Sequence, residues 1–479
     1  MGTYIPTIGL EIHAELKTKT KMFCNSANDP HAETPNTHVC PVCMAFPGTL
    51  PVVNKSAVLH VLRVGTAVDG TLADYSEFDR KNYFYPDLPK GYQISQYKYP
   101  LVSGGSLAGV ELTRIHLEED TARSQHPPAP NDGQPAGTGD SWSLIDFNRA
   151  GVPLMELVTE PVIHDAKTAS RFAQELQLLL RTLGASDANM EKGEMRVEAN
   201  ISVSRDSSLG TKVEVKNLNS FKSVEKAIEF EIKRHIEVLE GGGSLTQETR
   251  GWDENKQTTF SQRIKEDSHD YRYFPDPDIP KLQLSQLSEF TKETIAISLP
   301  ELPWKKRERY QSFDLKEEDV ETLVSDKVFG PFFDSEVLSK TDNQKEIKIA
   351  ANYLLSDVRG ANPESLENLS DGAFMQLIEL IESGSLSSRG AKDVLRELLE
   401  KGGAPEEIAT KKSLLQVHDI DALKVYAKEV IEKHPEVAKE LRGGKESALQ
   451  FLVGQGMKVS RGAANPQELA TLIKKELGL

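Results

Sequence analysis

Glu11 and His13 stand two residues apart in Gly9-Leu10-Glu11-Ile12-His13-Ala14-Glu15-Leu16, a stretch that alternates strictly between apolar and polar side chains. Period-two alternation marks a half-buried strand, and it sends Glu11, His13 and Glu15 to one face at spacings of about 7 Å. The same pattern puts His116, Glu118 and Asp120 on one face of residues 111–120, and Glu198, Asn200 and Ser202 on one face of residues 197–204. Glu156 is a different case, since Leu154, Met155, Leu157 and Val158 surround it. A lone carboxylate buried in such a run is costly unless a cation or a donor compensates it. Carboxylates converging on a half-buried place are tolerable when divalent cations neutralise them, and hard oxygen ligands favour magnesium. The pattern therefore points to a multi-carboxylate metal site with His13 as a nitrogen ligand. Taken one at a time, the strands read equally well as solvated antiparallel faces, and the pattern names no substrate.

Three further segments carry groups that grip phosphate, stack on bases or orient a carbonyl. Residues 78–96 are dense in aromatic, amide and basic side chains, with Lys81, Asn82 and Tyr83 near their start. Residues 214–221 place Lys216, Asn217 and Asn219 ahead of a helix start, a natural anion site, although capping alone accounts for Asn219. Residues 270–278 offer Arg272 as a bidentate clamp for phosphate or carboxylate; a turn pairing with Asp276 or Asp278 is the alternative. Each segment reads as readily as a surface loop with core aromatics. Cys24, Cys40 and Cys43 include a Cys-Pro-Val-Cys knuckle of zinc-binding type. A structural zinc site wants four ligands, Ser26 is a poor one, and His31 or His38 could complete the set. Three reduced cysteines lining a turn is the plainer alternative.

The elements that must position these residues fall into three parts. From residue 4 to about 290, alternating segments predict largely antiparallel strands with two helices. Asp165 caps the first helix, which runs to about Leu183; Asn219 or Ser220 caps the second, which stops at Gly241–Gly243. Residues 127–140, with four prolines and three glycines, predict a surface loop. Past Pro277-Asp278-Ile279-Pro280 the pattern turns helical, with a break at Gly402-Gly403 and a turn-rich segment at 454–466. The expected class is α+β: a mixed, largely antiparallel cradle over 1–290, a helical domain over 291–403 and an all-α tail over 404–479.

At 479 residues the chain is too long for one growing hydrophobic core. Its 38% hydrophobic and 27% charged residues suit a globular protein. The net charge of −16 argues against a protein that coats nucleic acid non-specifically. Residues 441–479 run against that sign, with six basic residues against three acidic ones. Lys458 and Arg461 lie there beside Asn465-Pro466, which opens the last helix, and basic groups beside free helix-start amides suit RNA phosphates. No apolar run reaches the roughly 18 residues of a membrane span, the N-terminus does not resemble a signal peptide, and the cysteine usage fits the cytoplasm.

Several long motifs are shared with one family. GLEIHAELKTKTKMFC (9–24), PGTLPVVN (47–54), FDRKNYFYPDLPKGYQISQ (78–96), RIHLEED (114–120), PLMELVTEP (153–161), VEVKNLNSF (213–221), QETRGWDE (247–254), DYRYFPDPD (270–278) and FLVGQGMKVSRGAANP (451–466) span the whole chain. By these the sequence resembles the B subunits of the tRNA-dependent amidotransferases. The resemblance implies a kinase-like cradle, a helical domain and a tail that contacts tRNA. It also implies a reaction: ATP phosphorylates the side-chain carboxylate of glutamate or aspartate esterified to tRNA, and ammonia from a partner amidase (A) subunit, in a heterotrimer with a small C subunit, displaces phosphate. By position it assigns magnesium ligands to His13, Glu119 and Glu156, and a second metal or nucleotide-facing set to Glu11, Glu118 and Glu198. Lys81, Asn82, Tyr83, Asn200, Lys216, Asn217 and Arg272 become candidate ATP contacts.

Two departures stand out. Glu198 stands where the family commonly has aspartate, and Ser26 where zinc-bearing members have a cysteine. Strand alternation favours Glu118 over Glu119, and a bulge would be needed for both to contribute. The alternatives are a free-standing amide ligase on a small carboxylic acid and a non-catalytic tRNA-binding adaptor. The basic tail speaks against the first, the retained carboxylates against the second. The chain shows no recognisable glutaminase motif.

Overall fold

The computed structural model describes residues 4–125, 143–206, 208–264, 271–416, 420–460 and 464–479. The chain forms two compact units, Met1–Leu302 and Pro303–Leu479.

The first unit is built on a ten-stranded sheet. Its centre is β1 (Ile5–Glu15), with Leu10, Ile12 and Ala14 buried on one face as the alternation predicts. In chain order the other elements that matter here are helix α1 (Lys55–Ala67), β2 (Asp79–Asn82), β3 (Tyr92–Ser95), β4 (Val110–Glu119) and β5 (Pro153–Thr159). They are followed by α2 (Ala166–Thr182), β6 (Met195–Ser204), β7 (Val213–Leu218), α3 (Phe221–Glu240), β8 (Glu248–Asp253), β9 (Thr258–Ile264) and β10 (Phe274–Pro275). Across the main sheet the order is β9-β8-β7-β6-β1-β5-β4, then Val102–Ser103 and Thr71–Leu72. Every pairing in it is antiparallel except β7 with β8. A separate three-stranded sheet joins β10, β2 and β3.

Helices α2 and α3 pack on each other and on this sheet, α2 against β1 and α3 against β6 and β7. Their buried Phe172, Leu176, Leu180, Val224 and Ile228 supply the apolar side of the core. Each such side chain, fully buried, contributes about 1.5–3 kcal/mol. The caps are as expected: Asp165 accepts from the Thr168 N–H, and Ser220 rather than Asn219 accepts from the Ser223 N–H. Helix α1 was not expected. Asn54 caps it through the Ser56 and Ala57 N–H groups. Its valine-rich, glycine-containing run reads as strand or loop, yet Gly65 lies so close to the sheet that a Cβ there would meet Val102 Cγ2 at 2.4 Å.

The second unit is helical, with no strand among its described residues. Helices Ile420–Lys433, Pro435–Arg442, Glu446–Val459 and Pro466–Glu476 enclose a core of their own around Leu423, Val430, Leu452, Leu469 and Ile473. Here the sequence misleads in one place. Residues 454–459 are not a turn but the end of Glu446–Val459. Gly456 is a packing glycine: a Cβ there would sit 2.4 Å from Leu469 Cδ2. Asn465 does open the last helix, accepting from the Gln467 and Glu468 N–H groups. Lys458 is exposed in the last turn of its helix. Arg461 lies outside the described residues, as does the expected loop from 127 to 140.

Candidate active site

Helices cover one face of the sheet, and the opposite face of its central strands is polar. Strand register fixes which side chains meet there. His13 lies between Arg196 of β6 and Glu156 of β5, and Glu156 lies opposite His116 of β4. Glu11 is the cross-strand partner of Glu198, and Asn200 that of Glu214. The strands β1, β4, β5, β6 and β7 thus send Glu11, His13, Glu118, His116, Glu156, Glu198, Asn200 and Glu214 into one cluster.

His13 is its hub. Its Nε2 lies 3.3 Å from Glu156 Oε2, 3.7 Å from Glu118 Oε1 and 3.8 Å from Glu11 Oε1. Burial acts to lower the His13 pKa, but the hydrogen bond and charge of Glu156, with Glu118 and Glu198, push it up to about 9. Glu156, 5% exposed, also has His116 Nε2 at 3.3 Å and Arg114 at 3.6 Å. Burial acts to raise its pKa, and His116 and then His13 outweigh that and hold it well below the carboxylate range. The compensation that a carboxylate in this apolar run requires therefore comes first from two imidazoles. Glu11 fares worse: burial, then the charge of Glu156, pushes its pKa up to about 7. Among the described residues, Glu11, Glu118, Glu156, Glu198 and Glu214 gather here with Lys81, Arg114 and Lys216, and Arg196, paired with Asp120, also feels the charge of Glu118.

Glu118 and Glu119 are separated by the strand itself. The β4–β5 register runs without a break through both, and its only irregularity lies at Val158/Thr159. With no bulge to turn one of them, they face opposite sides. Glu118 enters the cluster and accepts from Ser95 Oγ at 2.9 Å. Glu119 points away, pairs with Lys90 Nζ at 2.7 Å and accepts from the Ile94 N–H at 3.0 Å. The structure brings Glu118, not Glu119, to His13 and Glu156.

The other expected residues divide. Lys81 lies close enough to Glu118 and Glu156 for their charges to hold its ammonium on, over the Tyr271 ring at 5.2 Å and the Tyr83 ring at 6.0 Å. Tyr83 donates to Gln93 Oε1. Lys216 pairs with Glu198 at 2.8 Å, and a bulge in β7 sets it there. Asn217 is the bulge residue, at φ 66°, a left-handed conformation that asparagine tolerates well. Asn82 is spent on structure, donating to the Tyr271 and Arg272 carbonyls. Arg272 sits at φ 45°, and the pairing expected of it in the turn belongs to Arg80, which binds Asp276 at 2.8 Å and Asp278 at 2.9 Å.

His116, Arg114 and Glu214 were not named as site residues. His116 and Arg114 were legible in the alternation of 111–120. Glu214 was not, because a lone glutamate in Thr211–Lys216 carries no mark of its neighbours.

The donor set fits a divalent metal. Glu11, His13 and Glu156 offer atoms within 4.8 Å of one another, as do His116, Glu118 and Glu156, and Glu11, Glu198 and Glu214. The side-chain oxygen of Asn200 is buried without a hydrogen-bond partner. Converging carboxylates and an unused amide oxygen suit a hard cation such as magnesium. The three cysteine sulfurs likewise lie within 4.8 Å of one another. Their neighbour is the fully buried Lys21, with Nζ 4.0 Å from Cys43 Sγ, and Ser26 Oγ lies 3.9 Å from the same sulfur. Neither expected histidine completes the set: His31 is engaged by Arg123, and His38 Nε2 lies 3.9 Å from Asp29.

Residues 6–289 match the family model of the GatB/GatE catalytic domain, and residues 331–477 match that of the GatB domain. The chain belongs to the GatB family. The catalytic-domain match contains the whole carboxylate cluster, and the GatB-domain match contains Lys458. Its relatives are named as the B subunits of aspartyl/glutamyl-tRNA(Asn/Gln) amidotransferases. Among them, the protein of Gloeothece citriformis is 40% identical over 99% of this chain and 98% of its own. Those of Caldicellulosiruptor saccharolyticus and Thermoanaerobacter pseudethanolicus are each 42% identical over 99% of this chain and 99% of their own. GatB chains are components of ligase-type amidotransferase complexes, and this chain is one of them.

Proposed function

We propose that this chain activates the side-chain carboxylate of glutamate or aspartate misacylated onto tRNA(Gln) or tRNA(Asn), and then amidates it. The observation that carries this is the cluster around His13, in which five carboxylates, three of them buried, converge on a sheet face that helices leave open. A carboxylate oxygen of the substrate attacks the γ-phosphorus of ATP, and ADP leaves. Ammonia then attacks the acyl-phosphate carbon, phosphate departs, and the nitrogen loses a proton to give the amide. Magnesium, when bound, offsets the negative charge gathered between ATP and the carboxylate.

Glu11, His13, Glu118 and Glu156 would hold that ion, and Glu198 with Glu214 and Asn200 would hold a second. Lys81 and Lys216 bring positive charge to opposite ends of the cluster and are the candidate phosphate contacts. In this reading Glu119, whose position in the family motif marks it as a ligand, anchors the Lys90–Ile94 segment instead. Ammonia comes from a partner amidase (A) subunit in a complex that includes a C subunit, acting in the cytoplasm. Residues 291–403 and 404–479 act as separate domains, the tail reaching tRNA through Lys458 and Arg461; its self-contained core supports that division. Zinc at Cys24, Cys40 and Cys43 would take Ser26 or water as its fourth ligand.

The test uses the assembled complex with ATP, magnesium, glutamine and each misacylated tRNA. Glu156→Gln should abolish tRNA-dependent ATP cleavage and leave tRNA binding largely intact. Full ATP cleavage by that variant would refute the metal assignment, and amidation that survives deletion from residue 404 onward would favour a small-molecule ligase.

A further inference from the structure

Five tyrosines form a continuous line beside the carboxylate cluster. Tyr97 stacks on Tyr273, with ring centroids 4.5 Å apart and planes 12° from parallel. Tyr273 meets Tyr271 edge-on at 6.1 Å, Tyr271 meets Tyr83 at 5.9 Å, and Tyr83 meets Tyr85 at 6.3 Å. The middle of the line touches the site, because Lys81 lies over Tyr271 and Tyr83 and feels the charges of Glu118 and Glu156. Both ends are open: Tyr97 and Tyr85 are each 64% exposed. Beyond Tyr97 come the exposed Lys98, whose Nζ lies over the Tyr99 ring at 5.0 Å, and Tyr99. Burial raises the pKa of Tyr83 and Tyr273, so both rings are neutral at working pH.

Tyr97 and Tyr85, left mostly in water, forgo burial worth about 1.5–3 kcal/mol each. Aromatic rings in sequence, graded from exposed to half-buried and flanked by lysine, are what an unpaired nucleic-acid strand uses to enter a site, base stacking on ring and phosphate lying near the cation. A single mononucleotide needs one ring face or a sandwich of two. A line of five is longer than that. We infer that the tyrosine line Tyr97–Tyr273–Tyr271–Tyr83–Tyr85 receives the unpaired 3′ end of the substrate RNA and stacks its last bases, so that the esterified amino acid reaches the His13 cluster. This rests on the function proposed above, and it adds the residues that position the RNA end and a division of labour: stacking for the RNA, charge for ATP.

The assembled complex tests this with Tyr97→Ala and Tyr97→Phe, an exposed position where substitution leaves folding undisturbed. Losing one stacking partner should raise the KM for aminoacyl-tRNA on the order of tenfold, from the value of base–aromatic stacking, with the KM for ATP unchanged. Tyr97→Phe should keep the wild-type KM for tRNA. A 2-aminopurine placed at the tRNA 3′ terminus should be quenched on binding wild type and less so on binding Tyr97→Ala. A rise in the KM for ATP alone would give the line to the ATP base and overturn the inference, as would unchanged KM values for both substrates. Failure of the wild-type complex to amidate either misacylated tRNA would instead count against the proposed function, so the two failures are distinguishable.

Discussion

Two buried polar clusters lie on the same sheet and are built on opposite terms. At one edge, Glu231 of α3 is fully buried and paired at every turn. Arg234 Nη2 donates to it at 2.7 Å, Arg250 Nε lies at 3.2 Å, His235 Nε2 lies at 3.2 Å, and Thr259 donates a short hydrogen bond. Glu248, also held by Arg250, completes a set of two carboxylates and two guanidiniums. At the centre, Glu11, Glu118, Glu156, Glu198 and Glu214 gather around His13 and His116, with Lys81, Arg114 and Lys216 beside them. The edge cluster matches its carboxylates with guanidiniums, although both ring nitrogens of His235 are buried without a hydrogen-bond partner, whereas the central cluster crowds its carboxylates around imidazoles and lysines. Carboxylates matched one to one by guanidiniums mark a structural cluster, and carboxylates crowded together on one sheet face mark a candidate site.

Removing charge should therefore act with opposite sign in the two places. The largest effect is expected of Glu231→Gln, which leaves half-buried guanidinium charge short of a partner and should cost about 3 kcal/mol in urea denaturation. Tyr97 and the catalytic cluster are untouched by it, so ATP cleavage by the folded fraction should persist. Acid should do the same more gently. Burial works to raise the Glu231 pKa, but His235, Arg234 and Thr259 outweigh it and hold it at about 2, against an ordinary value of 4.5. The stability this carboxylate contributes is present above about pH 4.5 and is lost as pH falls toward about 2. The acid limb of a denaturation curve should therefore flatten in Glu231→Gln. A wild-type acid limb in that variant would contradict the pairing.

Glu11→Gln should go the other way. It removes a charge that burial and Glu156 already oppose, so in chelator at pH 8 it should stabilise by about 1 kcal/mol while lowering ATP cleavage. Destabilisation would mean that the central cluster is satisfied as it stands. An effect without bearing on either cluster is expected of Gly456→Ala, remote from both. Its Cβ would press on Leu469, overpacking the tail core at a cost of about 1–3 kcal/mol. Scanning calorimetry should show this in the tail transition alone, with ATP cleavage unchanged.

What the sequence made legible follows from range. Period-two alternation correctly put Glu11 with His13 and Glu198 with Asn200, because strand geometry is local. The caps Asp165 and Asn465 were legible for the same reason. Which strands lie side by side is not local, so the meeting of His13 with Glu156 and His116 needed the fold. The family motif and the alternation disagreed over Glu118 and Glu119, and the unbroken β4–β5 register puts Glu118 in the cluster. The Glu231 cluster was legible only in its helical half, Arg234 and His235, since Arg250 and Thr259 stand on β8 and β9. Gly456 looked like a turn because a glycine needed for close helix packing has the same letter as one needed for a bend.

The most direct measurement is Mn2+ binding to the assembled complex, followed by electron paramagnetic resonance, with Glu118→Gln compared with Glu119→Gln. Glu118→Gln should lose the tight site, and Glu119→Gln should keep it. Retention in Glu118→Gln with loss in Glu119→Gln would contradict the placing of Glu118 at the metal.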